Sequence, residues 1–150
     1  MRLLVQRVSW AEVRVEERLV GRIEKGLLVL VGFGVGDTPG VLPKAAQKLV
    51  NLRIFSDAEG RMNLALREVG GGLLVVSQFT LYGELRKGYR PSFTGAAPSE
   101  RARALYEAFL EELKRQAPDV PVQTGEFGAK MAVSLCNDGP VTLWLEFGEV

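Results

Sequence analysis

Gly26-Leu27-Leu28-Val29-Leu30-Val31-Gly32-Phe33 carries no charge and does not alternate. A strand with one wet face alternates apolar and polar residues, so an unbroken, largely branched run of this length reads as a strand covered on both faces. A second run of the same kind, GLLVVSQF at 72–79, is its expected partner, and the likeness of the two openings is either an internal repeat or chance. Working outward, residues 2–8, 12–16 and 19–23 read as strands before the first run. Residues 52–55 and 62–69 read as strands between the two runs, and 120–123, 129–136 and 141–147 after them. Two helices interrupt. The first begins near Thr38 or Pro39 with Asp37 as its cap, and runs to about Asn51 with Ala45, Leu49 and Leu52 on one face. The second starts at Ser99 and repeats Ala102, Leu105, Tyr106, Phe109, Leu110 and Leu113 at helical spacing, so its aromatics belong to the core. Many strands and two helices predict a β-rich α/β fold of mixed sheets packed on each other, with both helices on one outer side. This is a three-layer ββα arrangement, forming one domain over residues 1–150.

Composition narrows the chemistry before any motif is considered. At 150 residues the chain is long enough to bury a sizeable core without disulfides or metals. Nineteen basic against eighteen acidic residues give a net charge of +1, so a polyanion has to be met by a local patch. The single cysteine, Cys136, excludes an internal disulfide and a cysteine-rich zinc site. No histidine occurs, which excludes histidine-based triads, dyads, general bases and metal sites. The opening MRLLVQRVSW is broken at Gln6 and Arg7, too early for a signal-peptide core, and no stretch approaches the ~20 apolar residues that span a bilayer. A cytoplasmic protein without membrane partners is expected.

Three segments are candidates for function. Gly32, Gly34 and Gly36 follow a strand and precede a helix, but Asp37 stands where a dinucleotide loop places its third glycine, so the segment reads as a tight turn. Ser77-Gln78-Phe79-Thr80-Leu81-Tyr82 is different: a buried strand gains polar side chains as it ends, and these need partners or a ligand cavity. The long loop after it carries Arg86, Lys87 and Arg90 interleaved with Tyr89 and Phe93, which suits either solvent or an RNA backbone with an unstacked base. Asn137-Asp138-Gly139-Pro140 joins two alternating strands in the manner of a hairpin turn, with proline fixing φ and removing a donor.

Taken together, SQFTLY at 77–82 and NDGPVT at 137–142 resemble the two signature motifs of the D-aminoacyl-tRNA deacylases. Supporting matches run in order along the whole chain: QRVS at 6–9, GLLVLVG at 26–32, NLRIF at 51–55, MNLAL at 62–66, RKGYRPSF at 86–93 and MAVSL at 131–135.

The resemblance implies a homodimer acting on D-aminoacyl-tRNA, with each active site built from both subunits. Ser77, Gln78, Phe79 and Thr80 would form the catalytic wall beside the terminal adenosine and the ester. Gly139 and Pro140, in cis, would enter from the partner subunit and reject L-amino acids at the α-carbon, leaving glycyl-tRNA partly susceptible. Arg7, Met131 and Asn137 would support that dipeptide, and Arg86, Lys87 and Arg90 would bind tRNA. The mechanism implied is free of metal and cofactor, assisted by the 2′-hydroxyl of the terminal adenosine, with Thr80 as a covalent nucleophile the rival route. No DNA partner is expected. A non-catalytic RNA-binding dimer and an editing enzyme for mischarged L-alanyl-tRNA are the alternatives.

Overall fold

In the computed structural model, which describes residues 1–148, the two apolar runs lie side by side. β1 spans Arg2–Val15, β2 Arg18–Ile23 and β3 Gly26–Gly32. After the helix α1 (Leu42–Asn51) come the short β4 (Phe55–Ser56) and β5 (Met62–Leu64), then β6 (Gly72–Ser77). The chain ends with α2 (Ser99–Gln116), β7 (Val122–Thr124) and β8 (Ala132–Glu146). β3 and β6 pair in parallel from Gly26 opposite Gly72 to Val31 opposite Ser77. Both faces are covered, as the missing alternation requires. Leu27, Val29, Val31, Leu73 and Val75 join the core under the helices, while Leu28, Leu74 and Val76 join a second core on the far side.

The sheet runs β2-β1-β3-β6-β7, with β8 also paired to β1, and it curls until it is nearly barrel-like. β1 explains how. Residues 2–8 and 12–16 were expected as two strands but form one, which pairs with β3 through its first half, with β2 through its second and with β8 along its other edge. Register shifts at Gln6/Val8 and Val8/Trp10 let the strand change face: Leu3 and Val5 point to the helix-side core, and Val8, Ala11 and Val13 to the second. The strand-on-strand layers therefore come from a single six-stranded sheet folded around the second core, with α1 and α2 packed together on one side.

Other boundaries move for local reasons. The stretch 62–69 keeps strand only to Leu64, because Glu68 closes a turn by donating its amide to the Ala65 carbonyl and accepting from the Ala65 amide. Strand is confined to Phe55–Ser56 within 52–55 and its surroundings, and the 120–123 strand is displaced to Val122–Thr124. α1 is preceded by a 3₁₀ turn, Pro39–Val41, and Asp37 does not cap it. Its carboxylate instead accepts from the Gly34 amide at 2.6 Å and pairs with the Met1 ammonium at 2.7 Å, which closes the tight turn after β3. α2 agrees with its periodicity, burying Ala102, Leu105, Tyr106, Phe109 and Leu113, and the Tyr106 hydroxyl donates to the Val75 carbonyl at 2.7 Å.

Candidate active site

Parallel pairing between β3 and β6 stops at Ser77, where the Gln78 amide still donates to the Val31 carbonyl at 2.7 Å. The strand expected over 72–79 ends there, and Phe79–Tyr82 wind into a 3₁₀ turn. Ser77, Gln78 and Phe79 thereby line a cavity of about 610 Å³, together with Phe93, the start of α2 at Ser99, and Phe127 and Met131 from the segment before β8. Thr80, the next residue, is exposed and does not line it, and its hydroxyl accepts from the Gln78 carboxamide. The turn uses the Leu81 and Gly83 amides for internal bonds, whereas the Phe79 and Thr80 amides donate to no protein acceptor among the described residues. No side chain lining the cavity is ionisable. Phe79 is half-exposed, its ring edge-on to Phe93 with centroids 5.0 Å apart.

The second motif is not a hairpin turn. The segments on either side of it belong to one strand, β8, and both pair with β1. Between the pairs Val8–Asn137 and Gln6–Thr142, β1 advances by two residues and β8 by five, so the excess is pushed outward as a loop on an unbroken strand. Asn137 ties its base, accepting from the Val141 amide at 2.7 Å and donating to the Val141 carbonyl and the Thr142 hydroxyl. Arg7, buried beneath, donates to the Asp138 carbonyl at 2.8 Å and to the Ile54 carbonyl at 2.7 Å. Gly139 and Pro140 are exposed, and the bond between them is cis. Arg7 and Asn137 are thus brought together with the dipeptide. Met131 is not: it lines the cavity, which neither Gly139 nor Pro140 of the same chain reaches.

Arg86, Lys87 and Arg90 are exposed on a loop whose base is pinned by paired main-chain bonds between Glu84 and Ser92. Arg86 is engaged by Glu84 at 3.3 Å, while Lys87 and Arg90 have no acidic partner within 4.0 Å among the described residues. Tyr89 at the tip is fully exposed, and Phe93 at the end of the loop reaches the cavity. Sequence reading missed Phe127 and Arg103. Phe127 packs at a tilt on Tyr106, and the Arg103 guanidinium lies 4.7 Å above its ring. The available signal was an aromatic between Gly125 and Gly128 in a connection that otherwise reads as polar.

Residues 4–146 match the family described as D-Tyr-tRNA(Tyr) deacylase. The chain belongs to that family. A D-aminoacyl-tRNA deacylase of Syntrophobacter fumaroxidans is 57% identical over 150 residues, covering 100% of this chain and 99% of the relative. The D-aminoacyl-tRNA deacylase of Thermosipho africanus is 53% identical with the same coverage. Among solved structures, a c-Myc DNA unwinding element binding protein superposes with a TM-score of 0.92 at 39% identity, over 97% of this chain and 98% of that one. A probable eukaryotic D-amino acid tRNA deacylase superposes with a TM-score of 0.80 at 22% identity, over 96% and 97%, and this likeness concerns the fold.

For a deacylase of this family the site offers unusual means. Among the described residues no three His, Cys, Asp or Glu side chains gather as a metal site, and Cys136 is exposed and away from the cavity. What lines the cavity is apolar and aromatic surface, Ser77, Ser99 and Gln78, and Phe79 at the head of the turn. Tyr82, the last residue of that turn, has its hydroxyl pushed up to about 12 by burial and by the nearby Asp37 carboxylate, so it stays protonated at neutral pH.

Proposed function

We propose that this chain hydrolyses the ester between a D-amino acid and the 3′ end of tRNA, and that it uses the tRNA itself as part of the chemistry. The observation that carries this reading is a cavity lined by no ionisable side chain, with Phe79 in its wall and the amides of Phe79 and of Thr80, the next residue, left without a protein acceptor. An aminoacyl ester is already activated. Water adding to its carbonyl carbon needs donors aimed at the oxygen that becomes negative, and two preorganised amides supply them. Collapse of that adduct breaks the bond to the ribose oxygen, which leaves as the tRNA 3′-hydroxyl with a proton. The neighbouring 2′-hydroxyl stands in for the missing base. Thr80 is ill-suited as a covalent nucleophile because no group beside it can take its proton: its hydroxyl partner is the Gln78 amide, a donor.

Stereochemical selection, in this reading, comes from Gly139 and Pro140 of a second copy. A chain keeps its own dipeptide outside its own cavity, and β8 is a long strand whose second edge pairs with nothing among the described residues. A two-fold dimer lets each copy lend its dipeptide to the other's cavity. There it crowds the substrate's α-carbon, admitting hydrogen and refusing an L side chain, so glycyl-tRNA is cleaved to some extent. Lys87 and Arg90, with Tyr89, meet the RNA backbone and a splayed base, Arg86 contributing once it leaves Glu84. The place of action is the cytoplasm, where charged tRNA is used. Among the described residues no helix is long and apolar enough to cross a membrane.

The test is release of amino acid from matched D- and L-tyrosyl-tRNA by catalytic amounts of protein. Turnover of the D-ester with the L-ester intact is expected. Binding of both without release would instead make it an RNA-binding dimer, and turnover of L-alanyl-tRNA with D-esters intact would make it an editing enzyme of the opposite preference.

A further inference from the structure

The 3₁₀ turn that presents the Phe79 and Thr80 amides is attached to the sheet in a particular way. Its own bonds, Leu81 amide to Gln78 carbonyl at 3.2 Å and Gly83 amide to Thr80 carbonyl at 2.9 Å, shape it without fixing where it sits. On the cavity side its neighbour is Phe93, which belongs to the long basic loop. Behind it stands Arg2, the first residue of β1, hydrogen-bonded in the sheet between Gly32 of β3 and Glu146 of β8. The Arg2 side chain donates from Nη1 to the Leu81 carbonyl at 2.8 Å, and its guanidinium lies 4.3 Å over the Tyr82 ring. Trp144 of β8 lies on it too, with its ring centroid 5.8 Å away, and the Glu146 carboxylate is 3.8 Å from Nε. Among the described residues Arg2 is the one side chain from outside the turn that donates to its main chain.

From this geometry we infer that Arg2 is a positioning residue for deacylation: it clamps the turn from behind and so fixes where the Phe79 and Thr80 amides point. The inference rests on the deacylase reading of those amides. A surface arginine that merely pairs with a carboxylate contributes little. This one is different in kind, because the planar group stacks on one residue of the turn while donating to the carbonyl of the preceding one, which fixes both position and orientation. Donors to a developing oxyanion act only when placed within a few tenths of an ångström, and a displacement of about 1 Å costs on the order of 100-fold. Substrate affinity, by contrast, is spread over the aromatic cavity and the basic loop, which Arg2 does not touch.

The experiment is steady-state hydrolysis of D-tyrosyl-tRNA by the full chain, with melting temperature measured alongside. Arg2→Met keeps the apolar stem and removes the guanidinium; it is expected to lower kcat about tenfold with KM within about twofold of the parent. Arg2→Lys, which can still donate to Leu81 but cannot stack, should recover part of that loss. Glu146→Gln, which removes only the ion pair, should be indistinguishable from the parent. If Arg2→Met keeps full kcat, raises KM alone, or loses rate only in proportion to its unfolded fraction, the clamp is overturned while the deacylase reading stands. Equal rates for Arg2→Lys and Arg2→Met with kcat reduced would also overturn it, since a lost donor and lost stacking could then not be told from general loosening. A parent chain that releases nothing from D-tyrosyl-tRNA would overturn the deacylase reading, and the clamp with it.

Discussion

Gly139 is where one missing carbon matters most. Its φ of 142° is a conformation that side chains rarely adopt, and a Cβ there would lie 2.9 Å from Val141 Cγ2, 3.0 Å from the Val141 nitrogen and 3.1 Å from Arg7 Nη2. Gly139→Ala should therefore displace the exposed dipeptide and press on Val141 at the border of the helix-side core. D-tyrosyl-tRNA hydrolysis is expected to fall at least about tenfold while the chain still folds, its melting temperature lowered by several degrees because alanine at positive φ costs about 1 kcal/mol or more; full activity would remove the dipeptide from the site. Thr80 makes the opposite prediction. If its main chain serves and its hydroxyl only accepts from Gln78, Thr80→Ala should keep at least about a third of the rate, while tRNA ending in 2′-deoxyadenosine is cleaved slowly. A dead Thr80→Ala enzyme that still cleaves the deoxy substrate would restore threonine as nucleophile. The first motif was legible as residues because polar side chains at the end of an apolar strand demand partners, whereas the second read as a hairpin turn and was marked only by the family resemblance. Phe127 and Arg103 were not, because an aromatic in a polar connection looks the same in sequence whether it lines a cavity or packs.

α2 and β6 share the helix-side core and are joined there by a buried hydroxyl. Tyr106 donates to the Val75 carbonyl, and burial pushes its hydroxyl up to about 12. A group whose folded pKa is raised above the ordinary 10 favours the folded state fully below pH 10, and that contribution is lost as pH rises toward 12, because the unfolded chain releases the proton first. By pH 11 the loss is on the order of 1 kcal/mol. Urea unfolding at pH 9 and pH 11 should show Tyr106→Phe less stable than the parent by about 1 kcal/mol at pH 9, with a shallower fall between the two; parallel falls would mean the hydroxyl is not protected. At this scale the helices and the β3–β6 pair were legible, since period and unbroken apolarity are local properties. The fusion of residues 2–8 and 12–16 into one strand was not, nor was β8. Arg7 and Asn137 interrupt the apolar pattern of their strands, and only the pairing of β1 with β8 shows that the interruptions are bulges facing each other.

On the proposed reading, one whole molecule leaves its site unfinished. The dipeptide and the cavity of one chain do not meet, and β8 offers a free edge, so the active species is expected to be a dimer. Light scattering at micromolar concentration should give twice the 16.4 kDa chain mass, and a fully active 16.4 kDa species would contradict shared sites. Selection by crowding the α-carbon has a consequence that reading the side chain does not: the substrate is refused for what it carries on the wrong side, whatever its size. The most direct measurement compares initial rates on glycyl-tRNA and L-alanyl-tRNA at equal enzyme. The two esters differ by one methyl group, and an ordinary pocket would favour or disfavour it by only ~1–3 kcal/mol. Measurable cleavage of glycyl-tRNA with L-alanyl-tRNA at the uncatalysed rate is predicted; similar enzymatic rates for the two would contradict the account.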